Sequence, residues 1–304
     1  MTLIFLGTPS FAVPSLERAA LKGHQILAVF TQPDRPKGRG QSPQAPPVKQ
    51  AALKLGFPVF QPERIRHPEV VEQLRALAPR AMVVVGYGQI IPSTILDIPP
   101  LGIVNVHASL LPKYRGAAPV QWAIARGERR TGVTTMRLDA GLDTGPILLR
   151  WETPIGEEET APELSDRLAL AGAGLLAQTL SDLPHLDPQP QDPSQATYAP
   201  ILKKEDGHIQ WSMPAQDILN RVRGFLPWPG CYTFIKGRRL HVWRAKPAGL
   251  ALLPGTLRAS VGRLYAGCGD GAIELLEVQL EGKKRMDSAA FLNGFAIQAD
   301  EALV

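Results

Sequence analysis

Cysteine is scarce: the 304-residue chain has two, Cys231 and Cys268. Two cannot build a disulfide framework or a four-cysteine zinc site. The six histidines, at 24, 67, 107, 185, 208 and 241, show neither H-x-x-x-H nor H-E-x-x-H spacing, so no metal site is expected. No apolar run approaches the ~18–20 residues of a membrane-spanning helix, and no membrane partner is expected. The opening MTLIFLGTPSF has no basic stretch ahead of a long apolar run, which argues against a secretory signal and for a cytoplasmic home. Nucleotide fingerprints are missing too. The first turn reads Gly7-Thr8-Pro9-Ser10-Phe11, where proline and phenylalanine crowd a pyrophosphate, and no G-x-x-x-x-G-K-[ST] occurs. These absences exclude NAD, FAD and ATP. There is no G-x-S-x-G elbow, so Ser109 is no activated nucleophile, and Cys231 reads as a packed side chain.

What is present is ordinary in amount and uneven in placement. The length suggests two domains at about 150 residues each. A 44% hydrophobic and 20% charged composition excludes disorder of the whole chain. Proline is in excess, 29 residues against a usual share of about 5%, and clusters at 33–47, 92–100 and 184–200. These clusters read as loops, helix starts and a linker.

Over the first 180 residues, short apolar runs alternate with helical patterns, which predicts βαβ units around a mostly parallel, Rossmann-like sheet. Strands are expected at 2–6, 25–31, 57–60, 81–88 and 102–109, with 131–138 and 146–154 extended and candidates to pair. Helices are expected near 10–22, 47–55, 68–78, 118–127 and 161–183. Residues 184–207 read as a linker. A helix at 214–225 and several short alternating segments then predict a small OB-like β-barrel. The expected domains are therefore 1–183 and 208–304.

The stretch Gly102–Gly116, GIVNVHASLLPKYRG, carries the chemistry. On a strand, Asn105 and His107 share a face near its C-terminal end, where open α/β sheets bind ligands. Asp143 sits between two glycines in G-L-D-T-G. Taken singly, each of the three is as readily structural. Together a neutral donor, an imidazole and a carboxylate make an acyl-transfer set, one pair stabilising an oxyanion and the other moving a proton.

Charge position adds a partner. The net charge is +5, yet residues 1–200 hold 19 basic and 18 acidic side chains and residues 201–304 hold 14 and 10. Lys236, Arg238, Arg239, Arg244 and Lys246 cluster around Trp243, in the manner of a nucleic-acid-binding barrel, although a charged edge strand would read alike. The connection at 32–47 is overlong against the usual ~2–6 residues, and it carries Arg35, Lys37 and Arg39. It reads either as a solvated loop or as a basic finger for phosphates.

At these residues the chain resembles the methionyl-tRNA formyltransferases. The resemblance runs along nearly the whole chain: GTPSFAVPSL at 7–16, VFTQPDRPKGRG at 29–40, NVHASLLPKYRGAAPVQWAI at 105–124, TGVTTMRLDAGLDTG at 131–145 and LPWPG at 226–230. It implies formyl transfer from 10-formyltetrahydrofolate to methionyl-initiator tRNA, without a metal and without an obligate protein partner. It implies catalytic roles for Asn105, His107 and Asp143. It implies folate contacts at Ser109, Leu110, Leu111 and Pro112 and along the loop Gly86-Tyr87-Gly88. It also implies tRNA contacts from the basic loop, where Arg39 aligns with the family's acceptor-stem arginine, and from Lys236, Arg238 and Arg239. Gln41-Ser42 stands where some members carry a basic pair. Formyltransferases acting on nucleotide-sugar amines share the S-L-L-P stretch, so the alternative substrate stays open. Loop 32–47 and G-L-D-T-G favour tRNA.

Overall fold

The computed structural model describes residues 1–37, 42–298 and 301–304. They form two compact units. The first comprises Met1–Gly116, Thr131–Thr153 and Ser165–Tyr198; the second comprises Ala117–Arg130, Pro154–Leu164 and Ala199–Val304.

The chain begins with β1 (Thr2–Gly7), α1 (Val13–Leu21), β2 (Gln25–Phe30), β3 (Arg35–Lys37), β4 (Ser42–Gln44), α2 (Pro47–Lys54) and β5 (Val59–Phe60). It continues through α3 (Pro68–Leu77), β6 (Ala81–Val85), α4 (Ser93–Leu96), β7 (Ile103–His107), β8 (Arg115–Gly116) and α5 (Pro119–Ala125). Then come β9 (Arg130–Arg137), β10 (Ile147–Pro154), α6 (Ala161–Asp182) and β11 (Tyr198–Ala199).

In the first unit the sheet order is β10-β9-β7-β6-β1-β2-β5. The five strands from β7 to β5 are parallel, and β7 pairs antiparallel with β9. The expected parallel sheet is therefore present, and the two late extended segments do lie side by side. Strand β6 is buried at all five positions, as an apolar run covered on both faces requires. Proline opens or immediately follows the start of α1, α2 and α3, where its missing N–H costs nothing. Ile4, Leu6, Phe30, Leu74, Met82 and Ile95 form the centre of a buried cluster on this sheet.

The described flanks of the overlong connection are strands rather than loop. Strands β3 and β4 pair antiparallel, Arg35 with Gln44 and Lys37 with Ser42, so the two flanks form a hairpin. Prolines 36 and 43 disguise it in sequence; a two-stranded ribbon has only edges, and edges tolerate proline.

The second unit contains α7 (Ala215–Gly224), β12 (Cys231–Ile235), β13 (Arg238–Ala248), β14 (Thr256–Ser260) and β15 (Arg263–Cys268). It ends with β16 (Gly271–Leu280), β17 (Met286–Asp287), α8 (Ser288–Gly294) and β18 (Glu301–Ala302). The antiparallel order is β12-β13-β16-β15-β14-β18. The last residues return to the first strand: Phe234 and Val304 exchange both backbone hydrogen bonds, at 2.8 and 3.0 Å. The sheet thus closes as the small barrel expected from the alternating segments, which removes its exposed edges. The segment carrying α5 packs here on α7. Trp122 meets Phe225 edge-on at 5.3 Å, and a Cβ on Gly224 would stand 2.9 Å from the Ala125 nitrogen.

Candidate active site

His107 ends β7, and Asn105 precedes it by two residues on the same face. Their antiparallel partners on β9 are Thr134 and Met136. Both side chains are more than nine-tenths buried. His107 Nε2 lies 2.8 Å from the Tyr114 carbonyl. A carbonyl only accepts, so Nε2 carries a proton and donates it there. Nδ1 is left as the working nitrogen. It faces Asp143 Oδ2 at 3.7 Å. Among the described residues no protein group hydrogen-bonds the Asn105 amide, which is free to donate to a ligand.

Asp143 comes from the turn between β9 and β10, and the sequence around it explains its placement. The Asp139 carboxylate accepts from the Gly141 N–H at 3.0 Å and from Thr144 Oγ1 at 2.8 Å, folding the loop onto itself. A Cβ on Gly145 would stand 1.8 Å from the Arg137 carbonyl oxygen, and one on Gly141 would stand 2.0 Å from Thr144 Oγ1. At Gly145 the obstacle is backbone, so only glycine fits there; at Gly141 the Thr144 side chain would have to move. Asp143 itself adopts φ +52°, a left-handed backbone that projects its carboxylate toward β7. The Gly116 N–H donates to Oδ2 at 2.8 Å. Asn105, His107 and Asp143 are therefore brought together within the first unit.

The Ser109–Pro112 loop follows directly from β7. Ser109 Oγ donates to the Lys113 carbonyl at 2.6 Å, while Thr134 Oγ1 donates to the Ser109 carbonyl at 2.7 Å and accepts from the Leu111 N–H at 3.2 Å. Leu111 packs with Met136 and Ile147, Leu110 is half-buried, and Pro112 is buried. The Gly86–Gly88 loop leaves β6 with φ +56° and +87° at its two exposed glycines. Tyr87 between them turns its ring into the core. Its hydroxyl has no hydrogen-bond partner there, and burial pushes the phenol well above its ordinary range. What this loop offers a ligand is backbone, and the Tyr87 carbonyl is already met by Thr8 Oγ1 at 2.9 Å and Gln32 Nε2 at 3.2 Å.

The expected tRNA contacts divide. Arg35 is exposed on β3 and pairs with Glu63 at 3.3 Å; Lys37 ends that strand; Arg39 and Gln41 lie outside the described residues. On the barrel, Lys236 pairs with Glu301 at 3.0 Å, Arg244 with Glu277 at 3.4 Å and Lys246 with Glu274 at 3.3 Å. Much of the basic cluster is thus balanced within its own sheet. The guanidinium groups of Arg238 and Arg239 form no ion pair with a carboxylate among the described residues; Arg238 Nη2 donates to the Glu281 carbonyl at 2.8 Å, and the Glu281 carboxylate accepts from the Arg239 backbone N–H at 3.3 Å. The Arg239 guanidinium lies 4.9 Å over Tyr232 and 5.7 Å over Phe234. His208, Tyr232, His241 and Trp243 continue as ring neighbours at 5.3 to 6.0 Å.

Two features had no signal in the sequence. Gln191, from the proline-rich stretch read as linker, is buried, and so is Arg115. They bond to each other, and Gln191 bonds to the Asp143 loop. Both cysteines are buried, which pushes the Cys231 thiol up to about 12 and Cys268 to about 11. Among the described residues no group of three or more His, Cys, Asp or Glu could hold a metal ion, and no helix is long and apolar enough to cross a membrane.

A parallel sheet with an Asn-His-Asp cluster beyond a central strand, and a separate closed barrel, define the class of formyl transferases. The formyl transferase family model matches residues 1–180, and the formyl transferase C-terminal domain model matches residues 201–296. A methionyl-tRNA formyltransferase of Solibacter usitatus is 59% identical over 100% of this chain and 98% of its own length. One from Koribacter versatilis is 55% identical over 97% and 96%. The chain belongs to the methionyl-tRNA formyltransferase family. Among solved structures, an N-formyltransferase from Helicobacter canadensis, in complex with folinic acid and dTDP-3-aminofucose, has a TM-score of 0.67 at 20% identity. That match covers 90% of this chain and 98% of the other. HypX from Aquifex aeolicus with tetrahydrofolic acid has a TM-score of 0.64 at 17% identity, covering 98% and 48%. These two share the fold.

Proposed function

We infer that this chain transfers the formyl group of 10-formyltetrahydrofolate to the α-amine of methionyl-initiator tRNA, giving N-formylmethionyl-tRNA for translation initiation. The observation that carries the reading is the pairing of a free Asn105 amide with a His107 ring whose Nε2 is already committed to Tyr114. Two hydrogen-bonding groups thereby converge beyond β7, with a carboxylate 3.7 Å from the second.

Bound 10-formyltetrahydrofolate supplies an activated formyl group. Asn105 Nδ2 and the protonated Nδ1 of His107 donate to the formyl oxygen as the methionyl amine adds to the carbon. Preorganised donors of this kind are worth on the order of 10²–10³ in rate each. Asp143, aimed by the Gly116 N–H, orients the imidazole. It also takes the amine proton, directly or through water. The proton passes to the folate nitrogen as the old C–N bond breaks and the new amide forms. The Ser109–Pro112 loop and the backbone at Gly86, Tyr87 and Gly88 line the folate position.

Residues 1–183 act as the transfer domain, 184–207 as linker and 208–304 as the tRNA-binding barrel. The basic loop at 32–47, with Arg35, Lys37 and Arg39, meets the acceptor end, and Arg238 and Arg239, beside Lys236, meet phosphates with bases stacking on the neighbouring rings. The protein works in the cytoplasm, and neither a metal nor a second protein enters this scheme.

Incubation with 10-formyltetrahydrofolate and either charged initiator or charged elongator tRNA tests the reading. Formylmethionine should form on the initiator. Formyl transfer to an amino-sugar nucleotide, with none to charged tRNA, would overturn it.

A further inference from the structure

We propose that Gln191 is a positioning residue for formyl transfer, acting through Asp143; the proposal rests on the role given to Asp143 above. Gln191 lies 48 residues beyond Asp143 in the chain, yet its side chain is 9% exposed and fully engaged with the catalytic loop. Nε2 donates to the carbonyl of Asp143 at 2.8 Å and to that of Gly145 at 2.7 Å. Oε1 accepts from Arg115 Nε at 3.1 Å and Nη2 at 2.7 Å. Arg115 is 5% exposed and has no carboxylate within 4.0 Å among the described residues, so the carboxamide oxygen is what its guanidinium meets.

These bonds close a ring. The residue after Arg115 is Gly116, whose N–H holds the Asp143 carboxylate at 2.8 Å, and the residue before it is Tyr114, whose carbonyl holds His107 Nε2 at 2.8 Å. Three consecutive residues therefore grip the imidazole, the brace and the carboxylate. Gln191 ties the far side of the Asp143 loop back to the middle one. Asp143 needs such a clamp, because its left-handed φ of +52° is disfavoured for a residue with a Cβ. The side chain chemistry is specific. Two N–H donors serve two carbonyls while one oxygen serves a cation, a division only a carboxamide offers. A glutamate would keep the Arg115 partner and strengthen it, but would set oxygen against two carbonyl oxygens.

The test is a double-mutant cycle on the full chain: Gln191→Glu, Asp143→Ala and the pair. Gln191→Leu serves as a second single variant. Four quantities are read: single-turnover formyl transfer to charged initiator tRNA, KM for that tRNA, affinity for tetrahydrofolate by fluorescence titration, and the thermal midpoint. Displacement of a catalytic group by about 1 Å costs up to ~10² in rate. Gln191→Glu should lower kcat at least tenfold, with tRNA KM and tetrahydrofolate affinity within twofold and an unchanged midpoint. On the Asp143→Ala background it should cost little more. Wild-type kcat in Gln191→Glu, an equal fold-loss on both backgrounds, or a loss confined to KM would each overturn the proposal. If Gln191→Leu does not fold, Gln191→Glu still decides, since it keeps the Arg115 contact. A crippled Asp143→Ala beside an unharmed Gln191→Glu removes Gln191 alone. A wild-type rate in Asp143→Ala removes Asp143 from the reaction and the brace with it.

Discussion

His107 shows how one hydrogen bond assigns a job. Because the Tyr114 carbonyl takes Nε2–H, Nδ1 is the nitrogen left open, and it is also the one facing Asp143. Tyr114 holds φ +59° to aim that carbonyl, with its N–H donated to Thr197 Oγ1 at 2.9 Å. Strain of this size, on the order of 1–3 kcal/mol, is retained where surrounding contacts over-determine it. His107→Ala should therefore lower kcat about 10²–10³-fold, and Asp143→Asn should lower it as well, with tetrahydrofolate affinity retained. Initial rates at saturating charged tRNA measure this; near wild-type turnover in both would remove the assigned roles. Gly145 holds the same loop by its lack of a side chain. Its Cβ position lies 1.8 Å from the Arg137 carbonyl oxygen, so Gly145→Ala must push the Asp143 loop off β9. Activity should fall about 10²-fold or more while the far-UV circular dichroism of the sheet is kept, since a small displacement of a catalytic group is costly.

At the scale of elements, β13 of the barrel is read by its charges and rings. His241 on this strand has its pKa lowered first by burial, then by the positive charges of Arg239 and Lys204. The folded chain therefore takes up this proton less readily than the unfolded chain, whose histidine titrates near 6.5. Above that pH the ring is neutral in both states and its contribution to stability is whole. As pH falls through 6.5 toward the lower folded value, the unfolded chain is protonated first and stability is lost. Thermal midpoints at pH 7.5 and 5.5 should fall further for the wild type than for His241→Gln. An equal drop in both would show that the ring does not resist protonation in the folded state. Strands β3 and β4 pair as a hairpin. Its strands were hidden by Pro36 and Pro43, while β1, β2, β6 and β7 were legible because an apolar run of five or six residues has few other readings. Helix α8 and strand β18 were likewise too short to announce themselves.

For the whole molecule, tRNA affinity should be electrostatic and should fall as salt rises. The barrel's cations differ in whether a carboxylate meets them. Arg238→Ala should weaken tRNA binding and reduce the slope of log affinity against log salt by about one, with tetrahydrofolate affinity unchanged. Arg244→Ala and Lys246→Ala should do less, because Glu277 and Glu274 already neutralise those side chains. Filter-binding titrations across salt check both, and equal effects from all three would refute the distinction. Sequence alone determined the two-part architecture, the shared face of Asn105 and His107, and the loop glycines beside Asp143. Each of these is set by neighbours along the chain: strand period, helix period and the steric needs of a turn. Tertiary structure decided which imidazole nitrogen is free, that Asp143 comes within 3.7 Å of it, that Gln191 returns from the proline-rich stretch after α6 to bond that loop, and which basic side chains are paired internally. Except for the first, which needs the chain to return from His107 to Tyr114, those facts depend on residues far apart in the chain meeting in space, and no local pattern records where a long loop closes.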